Sequence, residues 1–229
     1  MASVISTERS EWRNLLTLQN QKELLLDSTR PIGETLNTDL GRPKSTSAGV
    51  LLSWYALRAT YSRELKVQEH LRERGVRTFV PMMWKTVPTP NPSSPTRSGT
   101  SRKLVPAVSN LVFVYWTREE LDAYIRSFGD VRPVNYYWDR TTNAPLTIPA
   151  KDMENFIAVA STLDENLIYL TEISDKLREG QTVKVKEGAF KGVEGKIVRI
   201  RKSRRVLVEL PGMLAVASTY VSANDIEII

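Results

Sequence analysis

The sequence predicts an α+β fold, an antiparallel sheet with helices followed by a small five-stranded β-barrel. Three observations carry this. Residues 50–160 alternate strand-like apolar runs with capped amphipathic segments in the order β-α-β-β-α-β-α; five short Val/Ile runs follow residue 180; and a weakly patterned linker, 161–175, separates the two. That order predicts helices on one face of the first sheet. The 229 residues suffice for two small cores without covalent staples.

Residues 1–49 read as an N-terminal extension, partly helical or flexible, with Trp12, Leu15, Leu16 and Leu24 to Leu26 marking short amphipathic turns before a turn-rich stretch. The first folded unit, 50–160, opens with a strand over 50–58 through Trp54, Tyr55 and Leu57. Ser62 offers an N-cap. Leu65, Val67 and Leu71 then form an apolar stripe among charged residues, and Gly75 ends that helix. A strand returns over 76–87. Residues 87–101 hold four prolines and seven Ser/Thr in 15 positions, which cannot bury a core, so they form the loop at the tip of a long hairpin. Residues 104–116 contain the next strand, centred on Leu111-Val112-Phe113-Val114-Tyr115. Thr117 with Glu120 three residues on is a capping box that opens a helix to about Phe128. A strand over 134–138 follows, and Ile148-Pro149 leads into a third helix with Met153, Phe156, Ile157 and Ala160 on its apolar side. The barrel, 176–229, is built from strands at 182–186, 192–201, 204–210, 213–220 and 225–229.

Charge is polarised along the chain. Lys and Arg balance Asp and Glu over 1–50, exceed them by seven over 51–117, fall six short over 118–175, and exceed them by five over 176–229, for the net +6. With a pI near 9.5, the two basic blocks point to nucleic acid. No cysteine and one histidine exclude thiolate catalysis, cysteine zinc sites and a self-sufficient histidine metal site, so no cofactor is expected. The chain has no Gly-rich phosphate loop, HExxH or GxSxG, and Glu119, Glu120 and Asp122 read as the negative first turn of a helix, so an enzyme is not expected. It lacks a run of about 18 apolar residues, and Glu8, Arg9, Glu11 and Arg13 interrupt its start, so a soluble cytoplasmic protein is expected.

The densest motif is Val183 to Val198, where Gly188, Gly192 and Gly195 surround Phe190 and Lys191. Glycines permit left-handed turns and close backbone approach there, while Phe190 anchors the loop. This segment resembles the KOW motif. Upstream, Trp54-Tyr55, the helix from Gln68 to Arg74, Val80-Pro81-Met82 and Asn110 to Val114 stand in the order found in the N-terminal (NGN) domain of the NusG family of transcription elongation factors. The resemblance covers 51–229 and is nearer to specialised, operon-specific paralogues such as RfaH; the N-terminal extension is similar to that of the UpxY-type antiterminators of capsular polysaccharide loci.

The resemblance implies a non-enzymatic factor that rides on RNA polymerase and suppresses pausing and termination. It places Leu111 and Phe113, with Trp54 and Tyr137 as neighbours, against the coiled-coil tip of the polymerase β′ subunit. Strand alternation lets only one set of residues 111–115 face the core, with Phe113 expected at the contact and Trp54 in the core. The helix bearing His70, Arg72 and Arg74 would face the displaced non-template DNA strand, with Arg74 on phosphate and His70 on a base. Arg199, Arg201, Lys202, Arg204 and Arg205 put five cations in seven residues at a hairpin tip, a candidate surface for DNA or nascent RNA. Two family features depart. Leu121, Asp122 and Ala123 stand where RfaH has the polar cluster that meets the polymerase gate loop, and Pro211-Gly212-Met213 replace an aromatic used by the general factor toward a ribosomal protein or Rho. The alternative reading is a ribosome-associated or RNA-binding KOW protein.

Overall fold

In the computed structural model, which describes residues 51–89, 99–129, 133–172 and 180–229, the first sheet is organised around two long central strands. The expected extension 1–49 and most of the Pro/Ser-rich tip lie outside the described residues. Strand β1 (Leu52–Ala59) pairs antiparallel with β5 (Leu111–Thr117), from Leu52↔Thr117 to Arg58↔Leu111. On its far side β5 takes β2 (Arg77–Phe79), while β1 takes β6 (Val134–Tyr136) and β9 (Thr147–Ile148), giving the order β2-β5-β1-β6. Helix α1 (Glu64–Arg72) follows β1, α2 (Arg118–Arg126) follows β5, and α3 (Ala150–Ala160) follows β9.

Helices cover both faces of this sheet, which corrects the expectation of one. Cross-strand register puts Trp54, Ala56, Phe113, Tyr115 and Phe79 on one face, where Phe156 of α3 lies 5.7 Å from the Phe113 ring and 6.2 Å from Phe79. The opposite face carries Tyr55, Leu57, Val112, Val114 and Trp116, and Tyr124 of α2 sits 6.1 Å from Trp116. Residues 111 to 114 are consequently all buried. An unbroken apolar run, rather than alternation, is the pattern of a strand covered on both sides.

Local chemistry explains the element boundaries. Thr117 Oγ1 accepts from the Glu120 N–H (3.2 Å) and donates to the Glu120 carboxylate (2.6 Å), so Thr117 is the expected N-cap and Glu120 reaches back to its hydroxyl. Gly75 takes φ +73° and its N–H bonds Arg72 O, ending α1. Ser62 is not the N-cap. It and Tyr61 are left-handed (φ +52° and +58°), the Ser62 N–H is satisfied by Asn110 Oδ1 (2.9 Å), and α1 starts after Arg63 without a side-chain cap. The strand expected over 76–87 breaks at Val80-Pro81, and β3 (Met82–Thr89) leaves the sheet to pair with β4 (Gly99–Pro106) as the expected hairpin. Its ladder reaches Thr89↔Gly99, further into the Pro/Ser-rich segment than expected.

The second sheet contains the five expected strands: β11 (Thr182–Val185), β12 (Glu194–Ile200), β13 (Ser203–Leu210), β14 (Leu214–Ala217) and β15 (Ile226–Ile228). A sixth, β10 (Ile168–Leu170), lies inside the expected linker 161–175 and pairs with β14. It belongs there because Ile168 and Leu170 pack on Val198, Leu207, Ala215 and Ala217. Tyr169, between them, lies 6.5 Å from Phe156 of α3, and its hydroxyl donates to Met82 O (3.4 Å) at the start of β3, so one short strand ties the second sheet to α3 and to the β3–β4 hairpin. Burial raises the Tyr169 hydroxyl pKa well above its ordinary value. The pairings run from β10 to β15, without a ladder between these two ends among the described residues.

Helix α3 also meets the second sheet, packing on β13 and β14 within the compact unit Ala48–Ile229. The Glu194 N–H donates to Asn155 Oδ1 (3.0 Å) and its carboxylate pairs with Lys151 Nζ (2.5 Å). The Lys151 ammonium, by hydrogen bond and charge, holds the Glu194 carboxyl below its ordinary value, so this tie is present above the usual carboxylate range and is lost as pH falls through the lowered value.

The motif glycines do different work. A Cβ on Gly195 would lie 2.5 Å from Leu207 O, whereas Gly192 (φ +87°) has open space around it. Gly192→Ala is expected to cost about 1 kcal/mol for the left-handed backbone, and Gly195→Ala more, at about 1–3 kcal/mol for forcing β12 from β13. Urea denaturation of the two variants checks the order.

Candidate nucleic-acid and polymerase interface

Helix α1 buries Val67 and Leu71 and turns His70 toward α2. His70 Nδ1 lies 3.2 Å from the Tyr124 hydroxyl and Nε2 3.3 Å from Arg74 Nη2. A guanidinium only donates, so Nε2 is the acceptor and the neutral imidazole carries its proton on Nδ1, where it donates to Tyr124. Arg74 also stacks over the Tyr124 ring at 5.3 Å. Burial raises the Tyr124 hydroxyl pKa, and Arg74 partly offsets this. Trp116 and Phe128 pack against the same ring. Both ring nitrogens of His70 are thus engaged, while Arg74 is exposed with further N–H groups to offer. Arg72 is half-buried and engaged by a neighbour.

Sequence reasoning missed the approach to α1. Tyr61 is 85% exposed in left-handed backbone, with the Arg63 guanidinium 5.7 Å from its ring. The β-branched and aromatic pattern gave no signal of this, because it is set by the tertiary bond from Ser62 to Asn110.

The apolar candidates divide sharply. Leu111, Phe113 and Trp54 are core residues, each at most 1% exposed, so the expectation of Phe113 at a contact surface is corrected: Phe156 covers it. Tyr137 is half-buried; its N–H donates to Ala56 O (3.0 Å), and burial raises its hydroxyl pKa against the opposing charge of Arg58. Beside it Trp138 is 55% exposed on the short hairpin of β7 (Trp138–Asp139) and β8 (Ala144–Pro145), whose turn Asp139 braces through Thr141 and Thr142. The strand expected over 134–138 ends at Tyr136, and Trp138 belongs to the next one. Asp122, in the position of the gate-loop cluster, is committed within the chain to Arg118 (3.0 Å) and the Tyr136 hydroxyl (2.8 Å).

In the second sheet, Gly188 and Gly192 take φ +84° and +87°, Phe190 is buried, and Lys191 is exposed on the turn between them. Arg201 and Lys202 form the exposed β12–β13 turn, with Arg204 half-buried beside it. Arg205 is structural, donating to Ser218 O (2.6 Å) and Asn166 O (2.7 Å).

Two family models match this arrangement. That for NusG, described as transcription termination factor nusG, covers residues 52–157, and that for the KOW motif covers 179–209. The chain belongs to the NusG family. No curated relative matches it. As a NusG-family protein it has the NGN and KOW pair of a transcription elongation and termination factor, a class that works with RNA polymerase and nucleic acids. Among the described residues no helix is long and apolar enough to cross a membrane.

For this NusG-family chain, burial makes a sharp expectation at Phe113. Phe113→Ala should destabilise the isolated protein by about 3–5 kcal/mol, the cost of emptying a buried aromatic site. Urea denaturation without polymerase measures it.

Proposed function

We propose that the chain is a specialised, operon-specific antitermination factor, of the kind serving capsular polysaccharide loci, that binds RNA polymerase and suppresses pausing and termination. The observation that carries this reading is the α1 face, where an exposed Arg74 is held by His70 and Tyr124 above a buried aromatic cluster. A fixed guanidinium suits a phosphate or the edge of an unpaired base in the non-template strand, and its effect requires no bond to be made or broken. The factor is accordingly non-enzymatic and works in the cytoplasm, where polymerase is. With both His70 nitrogens engaged, His70 acts by orienting Arg74.

Docking on the β′ coiled coil is assigned to Tyr137 and Trp138, because these aromatics lie at the edge of the sheet whereas Leu111, Phe113 and Trp54 are covered. An exposed aromatic beside a half-buried one is the kind of anchor that a helical tip buries. A ribosomal protein or Rho remains the partner class for the KOW sheet.

Transcription through a terminator-bearing template should show readthrough with the wild-type chain. Arg74→Ala should reduce it and lower the salt slope of DNA binding by about one unit, and His70→Ala should act in the same direction without adding to it. Equal readthrough with wild type, the double variant and no protein would reject the reading.

A further inference from the structure

We propose that the β12–β13 turn is a second nucleic-acid site, holding a phosphodiester backbone through Arg199, Arg201, Lys202 and Arg204, independently of α1. Two features of this hairpin oppose folding. The Ile200↔Ser203 pair closes over Arg201-Lys202 with φ +51° and +66°, two consecutive left-handed residues where Asn-Gly would sit without strain. One step back, Arg199 stands directly opposite Arg204, and like charges at facing positions repel. None of the four cations pairs with a carboxylate among the described residues. A hairpin needs neither feature, and both are offset when an anion from outside the chain binds.

The surroundings specify the anion. The one exposed aromatic placed beside the turn among the described residues is Tyr220, 64% exposed, whose neighbour Val221 donates its N–H to Arg204 O (3.1 Å). Four cations grouped at one end of a hairpin, against a single aromatic ring, suit a run of phosphates more than a base sequence. Arg205 is outside the site because its guanidinium is used internally.

The test is anisotropy titration of the full-length chain over a salt series with three labelled probes: an unstructured single-stranded RNA, single-stranded DNA of the same sequence, and its duplex. Arg199→Gln/Arg204→Gln and Arg201→Asn/Lys202→Gly should each lower the salt slope on single strands by about 0.7 per cation removed. The loss should be the same on a scrambled sequence and should add to that of Arg74→Ala. Melting temperatures should hold or rise, because repulsion and turn strain are relieved. Loss on RNA alone would assign the site to the transcript, and loss on all three probes to phosphodiester backbone in general. Unchanged slopes on every probe would overturn the proposal while leaving the α1 reading to its own Arg74→Ala result, and so would a fall in melting temperature in both variants.

Discussion

Covering β5 on both faces is the constraint on which the rest of the structure depends. Residues 111 to 114 present apolar side chains alternately to opposite sides, so each side requires its own helix layer. One layer is α1 with α2; the other is α3, whose Phe156 fills the space between Phe79 and Phe113. Because α3 must lie there, its outer flank is available to the second sheet, and Asn155 and Lys151 meet Glu194 of the KOW motif. Strand β10 follows from the same placement, since the chain leaving α3 uses Ile168 and Leu170 for the second sheet and turns Tyr169 back onto Phe156 of α3.

A sheet covered on both sides leaves its chemistry to the periphery. Arg74 projects from the end of α1, Trp138 from an edge hairpin, and Arg201 with Lys202 from the far turn of the second sheet. Each is held from within the chain: Tyr124 beneath Arg74, the Asp139 turn beside Trp138, and the ladder of β12 with β13 below the basic turn. Interior packing thus fixes where exposed groups sit without consuming them.

Most of the fold was legible because its signals are local. The N-cap at Thr117 with Glu120, the stop at Gly75 and the Val/Ile strands of the KOW sheet are written in adjacent residues, and the order of the NGN motifs with the KOW glycines identified the family. What escaped depends on distant partners. Ser62 looks like a cap until Asn110, 48 residues away, takes its N–H. Ile168 and Leu170 look like linker until β14 pairs with them. Phe113 looks like a contact residue as long as helices are assumed on one face, yet the unbroken apolar run from Leu111 to Val114 already signalled a strand covered twice. At the candidate site the family resemblance pointed to His70 and Arg74, but the engagement of both imidazole nitrogens depends on Tyr124 from another helix.

The most direct test of this account is hydroxyl-radical footprinting of the free chain and of the chain bound to RNA polymerase, read at Phe113 and Trp138. The covered sheet predicts that Phe113 stays unmodified in both states, while Trp138 is modified in the free chain and protected in the complex. Modification of Phe113 in the free chain, with protection by polymerase, would contradict it, for α3 would then be a movable cover and not the layer that completes the fold.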